Sequence, residues 1–167
     1  MKRPTHSSMR GWFAAALYEH MMKDERIFLI AGDLGYGMLD AIRDDFPRQF
    51  LNVHASEQVM LGMGIGMALQ GKIPFCYSIT PFLLYRPFEW IRNYLHHEQI
   101  PVRLVGAGMD GDYQHDGFTH HAYDAKQVLA CVPNVKVLLP EHKEQIPLMV
   151  DAMCADDAPP SFLALRR

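Results

Sequence analysis

Ile27-Phe28-Leu29-Ile30-Ala31, followed at once by Gly32-Asp33-Leu34-Gly35-Tyr36-Gly37, is the stretch on which the fold turns. A strand with one wet face alternates apolar and polar residues, so five apolar residues in a row mark a strand covered on both faces. The Gly- and Asp-containing break after it marks a strand's carboxyl end. Upstream, Ser7 and Ser8 can cap a helix whose apolar positions include Trp12, Phe13, Ala16 and Leu17. Downstream, a helix through Leu39 and Ile42 stops before Pro47, and Phe50-Leu51-Asn52-Val53 is a short strand. Helices are then predicted over 57–70, ended by Gly71, and over 85–97, 126–130 and 143–153. Strands are predicted over 74–79, 102–106, 135–139 and 161–165, and a polar loop over 108–120. Apolar strands that alternate with helices give an α/β fold, a mainly parallel sheet with helices on both faces.

The 167 residues, 49% of them apolar and 21% charged, suffice for one domain with a sizeable core. A formal net charge of −3 gives no basic footprint for nucleic acid. No apolar run approaches the roughly 20 residues that span a bilayer. The basic start, Met1-Lys2-Arg3-Pro4-Thr5-His6, is not followed by an apolar core of signal-peptide length. Cys76, Cys131 and Cys154 are scattered, without a CxxC pair, as reduced thiols are. A cytoplasmic protein is the expectation.

Ligands of open α/β sheets bind outside the carboxyl ends of the strands. Three polar loops leave such ends: Gly32-Asp33-Leu34-Gly35, His54-Ala55-Ser56-Glu57, and residues 110–121. Asp33 suits a Gly-rich turn as well as a site, and Glu57 suits the dipole of the helix it opens. His115, His120 and His121 lack the regular spacing or cysteines of a zinc site, so no metal site is predicted. Gly106, Gly108 and Gly111 do not open a helix in the manner of a dinucleotide fingerprint. The helix over 57–70 carries Gly62, Gly64 and Gly66, which together weaken it by roughly 3 kcal/mol. Either a core neighbour or another subunit must approach it closely, and substitution at Gly64 is expected to disrupt assembly before the fold.

The run from Asn52 through His54-Ala55-Ser56-Glu57-Gln58-Val59-Met60-Leu61-Gly62 to Ala68 resembles the transketolase stretch N-x-G-I-A-E-Q-x-M-x-G-x-A-x-G-x-A. Ala31-Gly32-Asp33-Leu34-Gly35 is similar to that family's A-D-L segment. Gly71-Lys72-Ile73-Pro74-Phe75 and residues 78–93 match its G-x-x-P…S-T-F-L…E-x-x-R-N pattern. Asp116-Gly117-Phe118-Thr119-His120-His121 resembles D-G-P-T-H-Q, and the stretch from Pro133-Asn134-Val135 to Pro140 resembles P-N-x-x-V-x-x-P. The motifs occur in family order over nearly the whole chain.

The resemblance implies a pyrimidine-binding (Pyr) domain over residues 1–167, without the diphosphate-binding (PP) or carboxyl-terminal domains of a full transketolase. The implied cofactor is thiamine diphosphate, with Mg²⁺ bound by a partner subunit that carries a G-D-G…N motif; Met109-Asp110-Gly111-Asp112 only echoes that motif. By the match, Glu57 hydrogen-bonds the pyrimidine nitrogen, and burial against an aromatic ring disfavours its charged form. Phe82 or Tyr85 stacks on the ring, and Asp33 lies near the cofactor. Asp116 and His120 face the substrate, His120 able to bind hydroxyls or move protons. Arg10 and Arg167 fall at phosphate-holding positions. The family's cofactor lies between chains, which implies a homodimer core within a heterotetramer.

Three departures point away from ordinary pentose phosphates. Gly108 replaces a histidine, Phe118 a proline and His54 a glycine. They suggest a modified sugar, such as a nucleotide-linked one. The function implied is ketol transfer or carboligation on sugar-like substrates, active only with the partner chain. The alternative is a non-catalytic binding or regulatory domain of the same fold. A decarboxylase or dehydrogenase component fits the D-G-x-T-H loop less well.

Overall fold

The computed structural model describes residues 7–167. Six strands form one sheet in the order β2-β1-β3-β4-β6-β5. They are β1 (Ile27–Ala31), β2 (Phe50–Asn52), β3 (Ile73–Ile79), β4 (Arg103–Ala107), β5 (Lys136–Leu138) and β6 (Ser161–Leu165). Every pairing is parallel, so the expected "mainly parallel" sheet is wholly so. The helices are α1 (Met9–Met21), α2 (Asp40–Asp45), α3 (Glu57–Leu69), α4 (Thr80–Tyr85), α5 (Phe88–Trp90), α6 (Ala125–Ala130) and α7 (Ile146–Cys154).

The unbroken apolar strands have two cores to fill. Leu29, Phe75, Tyr77, Val105 and Leu163 point into one core with Phe13 and Leu17 of α1 and Val150 of α7. Their neighbours Ile30, Cys76, Leu104 and Phe162 point into the other with Met60 and Leu61 of α3 and Leu129 of α6. A period of two along each strand therefore feeds both faces. Ser8 caps α1 by accepting the Gly11 N–H at 3.2 Å. Gly71, at φ 74°, ends α3. Its N–H and that of Lys72 bond back to Ala68 and Met67, which satisfies the last helical carbonyls.

Two expectations change. The helix predicted over 85–97 starts earlier, at Thr80, because Pro81 needs no donor in a first turn. It breaks before Phe88, since Pro87 supplies no N–H, and it resumes through α5 into a wider π-helical segment, Ile91–His97. The three glycines of α3 also serve different neighbours. A methyl at Gly62 would lie 3.0 Å from the Trp90 ring, and one at Gly64 would lie 2.9 Å from Cys76 Sγ and 3.3 Å from Val102. Both face the chain's own core. A methyl at Gly66 meets nothing within 4 Å, so only Gly66 lies on an open face, and Gly64 is corrected from an assembly position to a core position.

Candidate functional site

An all-parallel sheet delivers the carboxyl ends of all its strands to one edge. The chain leaves β1 for β2 on one side and returns to β3 on the other, so the strand order reverses between β1 and β3, where open sheets make their ligand crevice. Gly32 follows β1 there. A methyl on Gly32 would fall 2.9 Å from Ser78 Oγ and 3.4 Å from Glu57 Oε1. The missing side chain lets Ser78 of β3 and Glu57 of α3 meet over the crevice.

Glu57 is 2% exposed. Ser78 Oγ donates to its Oε1 at 3.0 Å, and Arg86 Nη1 donates to its Oε2 at 2.6 Å. The arginine side chain is 43% exposed, and its guanidinium lies 3.9 Å from the centroid of Phe82. Phe82 is reached from Glu57 through that guanidinium. The Arg86–Glu57 contact is a charge-assisted pair. Helix-dipole partnership does not account for a carboxylate buried this deeply with two side-chain donors.

Phe82 meets His120 edge-on at a centroid distance of 4.8 Å, and His120 lies 6.5 Å from the Tyr113 ring. Thr119 Oγ1 is 3.1 Å from His120 Nδ1. Tyr85 takes a different part. Burial chiefly, and then the hydrogen bond its hydroxyl donates to Asp124, push the phenol's pKa well above its usual range. Pro81, Phe82, Tyr85, Phe118 and Tyr123 wall an open, mainly apolar cavity of about 640 Å³. Asp116 stands on its own exposed turn of the same loop, ahead of His120. His121 lies between Phe118 and Tyr123, ring centroids 5.9 and 5.6 Å away.

Arg10 and Arg167, far apart in sequence, both reach Tyr113. Arg10 Nη1 donates to its hydroxyl at 3.1 Å, and the Arg167 guanidinium lies 5.4 Å from its ring centroid. Tyr113 also explains Gly108. At φ 78°, a side chain there is strained, and its first carbon would lie 2.4 Å from the Tyr113 ring. The tyrosine occupies the room that a histidine at 108 would need.

Asp33 and His54 both have positive φ, 53° and 54°. Asn52 Oδ1 accepts from both backbones, at 3.1 Å from Asp33 N and 2.9 Å from His54 N. Asp33 Oδ1 accepts from the Tyr36 hydroxyl and lies 3.3 Å from both Asn52 Nδ2 and His54 Nδ1. Chiefly the Tyr36 bond, then that of Asn52, holds the Asp33 carboxyl below the usual carboxylate range. Turn chemistry therefore accounts for the conformation and the bonds of this residue.

Glu57, Arg86, Phe82 and His120 thus form one chain of contacts, and Tyr113 beside His120 links Arg10 and Arg167 to it. Arg86, Ser78, Tyr113 and Asn52 are the participants that sequence patterns did not single out. Arg86 follows directly on Tyr85, and a basic residue among aromatic ones at a helix end was the available signal. Among the described residues, no three His, Cys, Asp or Glu side chains are grouped to hold a metal ion. No helix among them is long and apolar enough to cross a membrane.

The family model described as "Transketolase, pyrimidine binding domain" matches residues 6–167. A putative transketolase C-terminal section from Methanocaldococcus jannaschii is 29% identical over 136 residues, covering 81% of this chain and 43% of that protein. The 6-deoxy-6-sulfo-D-fructose transketolase subunit SqwH of a Clostridium species is 26% identical over 160 residues, covering 95% and 50%. The chain spans about half the length of these curated relatives. Among solved structures, one titled "Split gene transketolase, inactive beta4 tetramer" superposes with a TM-score of 0.82 at 25% identity, over 96% of this chain and 51% of the other.

Proposed function

This chain belongs to the family of transketolase pyrimidine-binding domains, and from that premise we propose that it is the Pyr subunit of a split transketolase-like enzyme. The reaction is ketol transfer or carboligation on sugar-like substrates with thiamine diphosphate. The diphosphate and its Mg²⁺ are held by a partner chain with a G-D-G…N motif, in a cytoplasmic heterotetramer built on a Pyr homodimer. The observation that carries this reading is Glu57, a carboxylate 2% exposed at the β1/β3 reversal, beside an aromatic-walled cavity.

The residues present fit one half of that cofactor. The cavity of about 640 Å³ suits a flat, weakly polar ring, with Phe82 and Tyr85 as walls. Among the described residues no three His, Cys, Asp or Glu side chains are grouped to hold a metal ion, and the reading gives the diphosphate end to the partner. When bound, the cofactor supplies a carbanion-stabilising thiazolium. Glu57, fixed by Ser78, holds a proton at the pyrimidine nitrogen. Phe82 orients the ring, Tyr85 closes the apolar wall, and Asp33 lies beside it on the β1 loop. His120 takes or gives a proton at a substrate oxygen, and Asp116 binds a substrate hydroxyl. Arg10 and Arg167 present two positive charges across Tyr113 to an anionic substrate group.

The test is Glu57→Gln in the enzyme reconstituted with its partner. The amide keeps the shape but cannot share the proton, so turnover is expected to vanish with the fold intact. Unchanged turnover would leave Glu57 as a mere partner of Arg86. The alternative, a non-catalytic binding or regulatory domain, for which the Arg86–Glu57 pair of 2.6 Å is the motivating observation, predicts instead no turnover from the wild-type chain with its partner.

A further inference from the structure

Arg86 makes two contacts at once. It donates to Glu57 Oε2 at 2.6 Å, and it lies on the Phe82 ring at 3.9 Å. An aminopyrimidine bound as proposed above needs the same two partners, the carboxylate for its ring nitrogen and an aromatic face for its π system. A guanidinium is planar and stacks on aromatic faces, so it can fill that place within the chain. The side chain also stands between two openings. The cavity of about 640 Å³ contains Phe82 in its wall, and a second of about 440 Å³ is lined by Ala55, Ser56, Glu57, Gln58 and Val59. Arg86 lines both and separates Phe82 from Glu57.

We propose that Arg86 is an intramolecular occupant of the pyrimidine site, which an aminopyrimidine ring must expel from Phe82 and Glu57 in order to bind. The inference rests on the cofactor reading above. The occupant is removable because its side chain is 43% exposed, so the expelled guanidinium regains water at the rim. Glu57 stays in place without it, since Ser78 holds Oε1 independently. Expulsion joins the two openings into one site with the carboxylate at one side and Phe82 at the other. It also sets a threshold. A ligand with only the ring competes poorly against a tethered guanidinium, whereas one anchored at its far end by a partner chain competes well.

The experiment titrates the full chain with thiamine, whose lack of phosphate removes any need for metal or partner, and reads affinity by calorimetry. Arg86→Ala is expected to bind thiamine at least tenfold more tightly than the wild type, and Glu57→Gln in that background to lose the gain. Circular dichroism reports the fold, and Arg86→Gln serves if the alanine variant does not fold. Equal or weaker thiamine binding by folded Arg86 variants overturns the proposal, and weaker binding makes Arg86 a ligand of the ring. The partner complex separates the two failures. Glu57-dependent binding of thiamine diphosphate there, with no gain from Arg86→Ala, sinks the occupant alone. Binding indifferent to Glu57 sinks the cofactor reading and the occupant together.

Discussion

Leucine at Gly64 and leucine at Gly66 are two residues apart on one helix and should act with opposite sign. At Gly64 the first added carbon already lies 2.9 Å from Cys76 Sγ, 3.3 Å from Val102 Cγ1 and 3.8 Å from Pro74 Cβ. Cys76 and Val102 are both fully buried, so neither neighbour has room to retreat. Overpacking of this kind costs about 3 kcal/mol at the upper end, against about 1 kcal/mol regained by removing a helical glycine. The net loss of about 2 kcal/mol lowers Tm by about 4–8 °C for a chain of this size. At Gly66 nothing lies within 4 Å, so only the propensity gain remains and Tm rises by about 2–4 °C. Urea and thermal unfolding followed by circular dichroism measure both. Sedimentation of the same variants tests assembly, where Gly66→Leu, and not Gly64→Leu, should weaken association while the fold holds. A Gly64→Leu chain as stable as the Gly66→Leu chain would refute the placement of α3 against β3.

Three further outcomes are expected. Arg103 is 2% exposed and its guanidinium donates to the carbonyls of Met153 at 2.8 Å, Ala155 at 3.3 Å and Pro101. Arg103→Ala unpairs the end of α7 and should lower unfolding stability by about 3 kcal/mol in urea titrations. Asp33 has a depressed pKa in the fold, so its stabilising effect is complete above the unfolded value of about 4 and fades as pH falls through the lower folded value. The Tm difference between wild type and Asp33→Asn should accordingly be present at neutral pH and shrink in acid; a constant difference counts against the pairing. His120→Ala should slow the reconstituted reaction by about a hundredfold with cofactor affinity little changed, and the reverse pattern would move His120 to the cofactor side.

Most of the fold was legible because burial on both faces leaves its mark in each strand. Ile27–Ala31 could belong only to a covered strand or a buried helix, and the break at Gly32 decided it. What was not legible depended on tertiary phase. The glycines of α3 look alike in sequence, and only the position of Cys76 and Trp90 tells Gly62 and Gly64 from Gly66. Pro87 was visible, but Pro81 at the helix start made the earlier boundary, and both prolines were needed to place the break. In the site, motif order singled out Glu57, Phe82 or Tyr85, and His120 without any contact being known. The Arg86–Glu57 pair joins residues 29 positions apart, across a helix junction whose rotation no local pattern specifies. Gly108 was legible as a departure, while its cause, the Tyr113 ring, required the loop's path.

The central claim is that this chain holds the pyrimidine end of thiamine diphosphate and a partner holds the charged end. Calorimetric titration of thiamine diphosphate, with Mg²⁺, into the chain alone and into the chain mixed with a G-D-G…N partner tests it most directly. The account predicts affinity in the millimolar range or weaker for the chain alone, since it gives the Mg²⁺-bound diphosphate to the partner and among the described residues no three His, Cys, Asp or Glu side chains are grouped to hold a metal ion, and tight Mg²⁺-dependent binding for the pair. Tight, Mg²⁺-dependent binding by the isolated chain would contradict it.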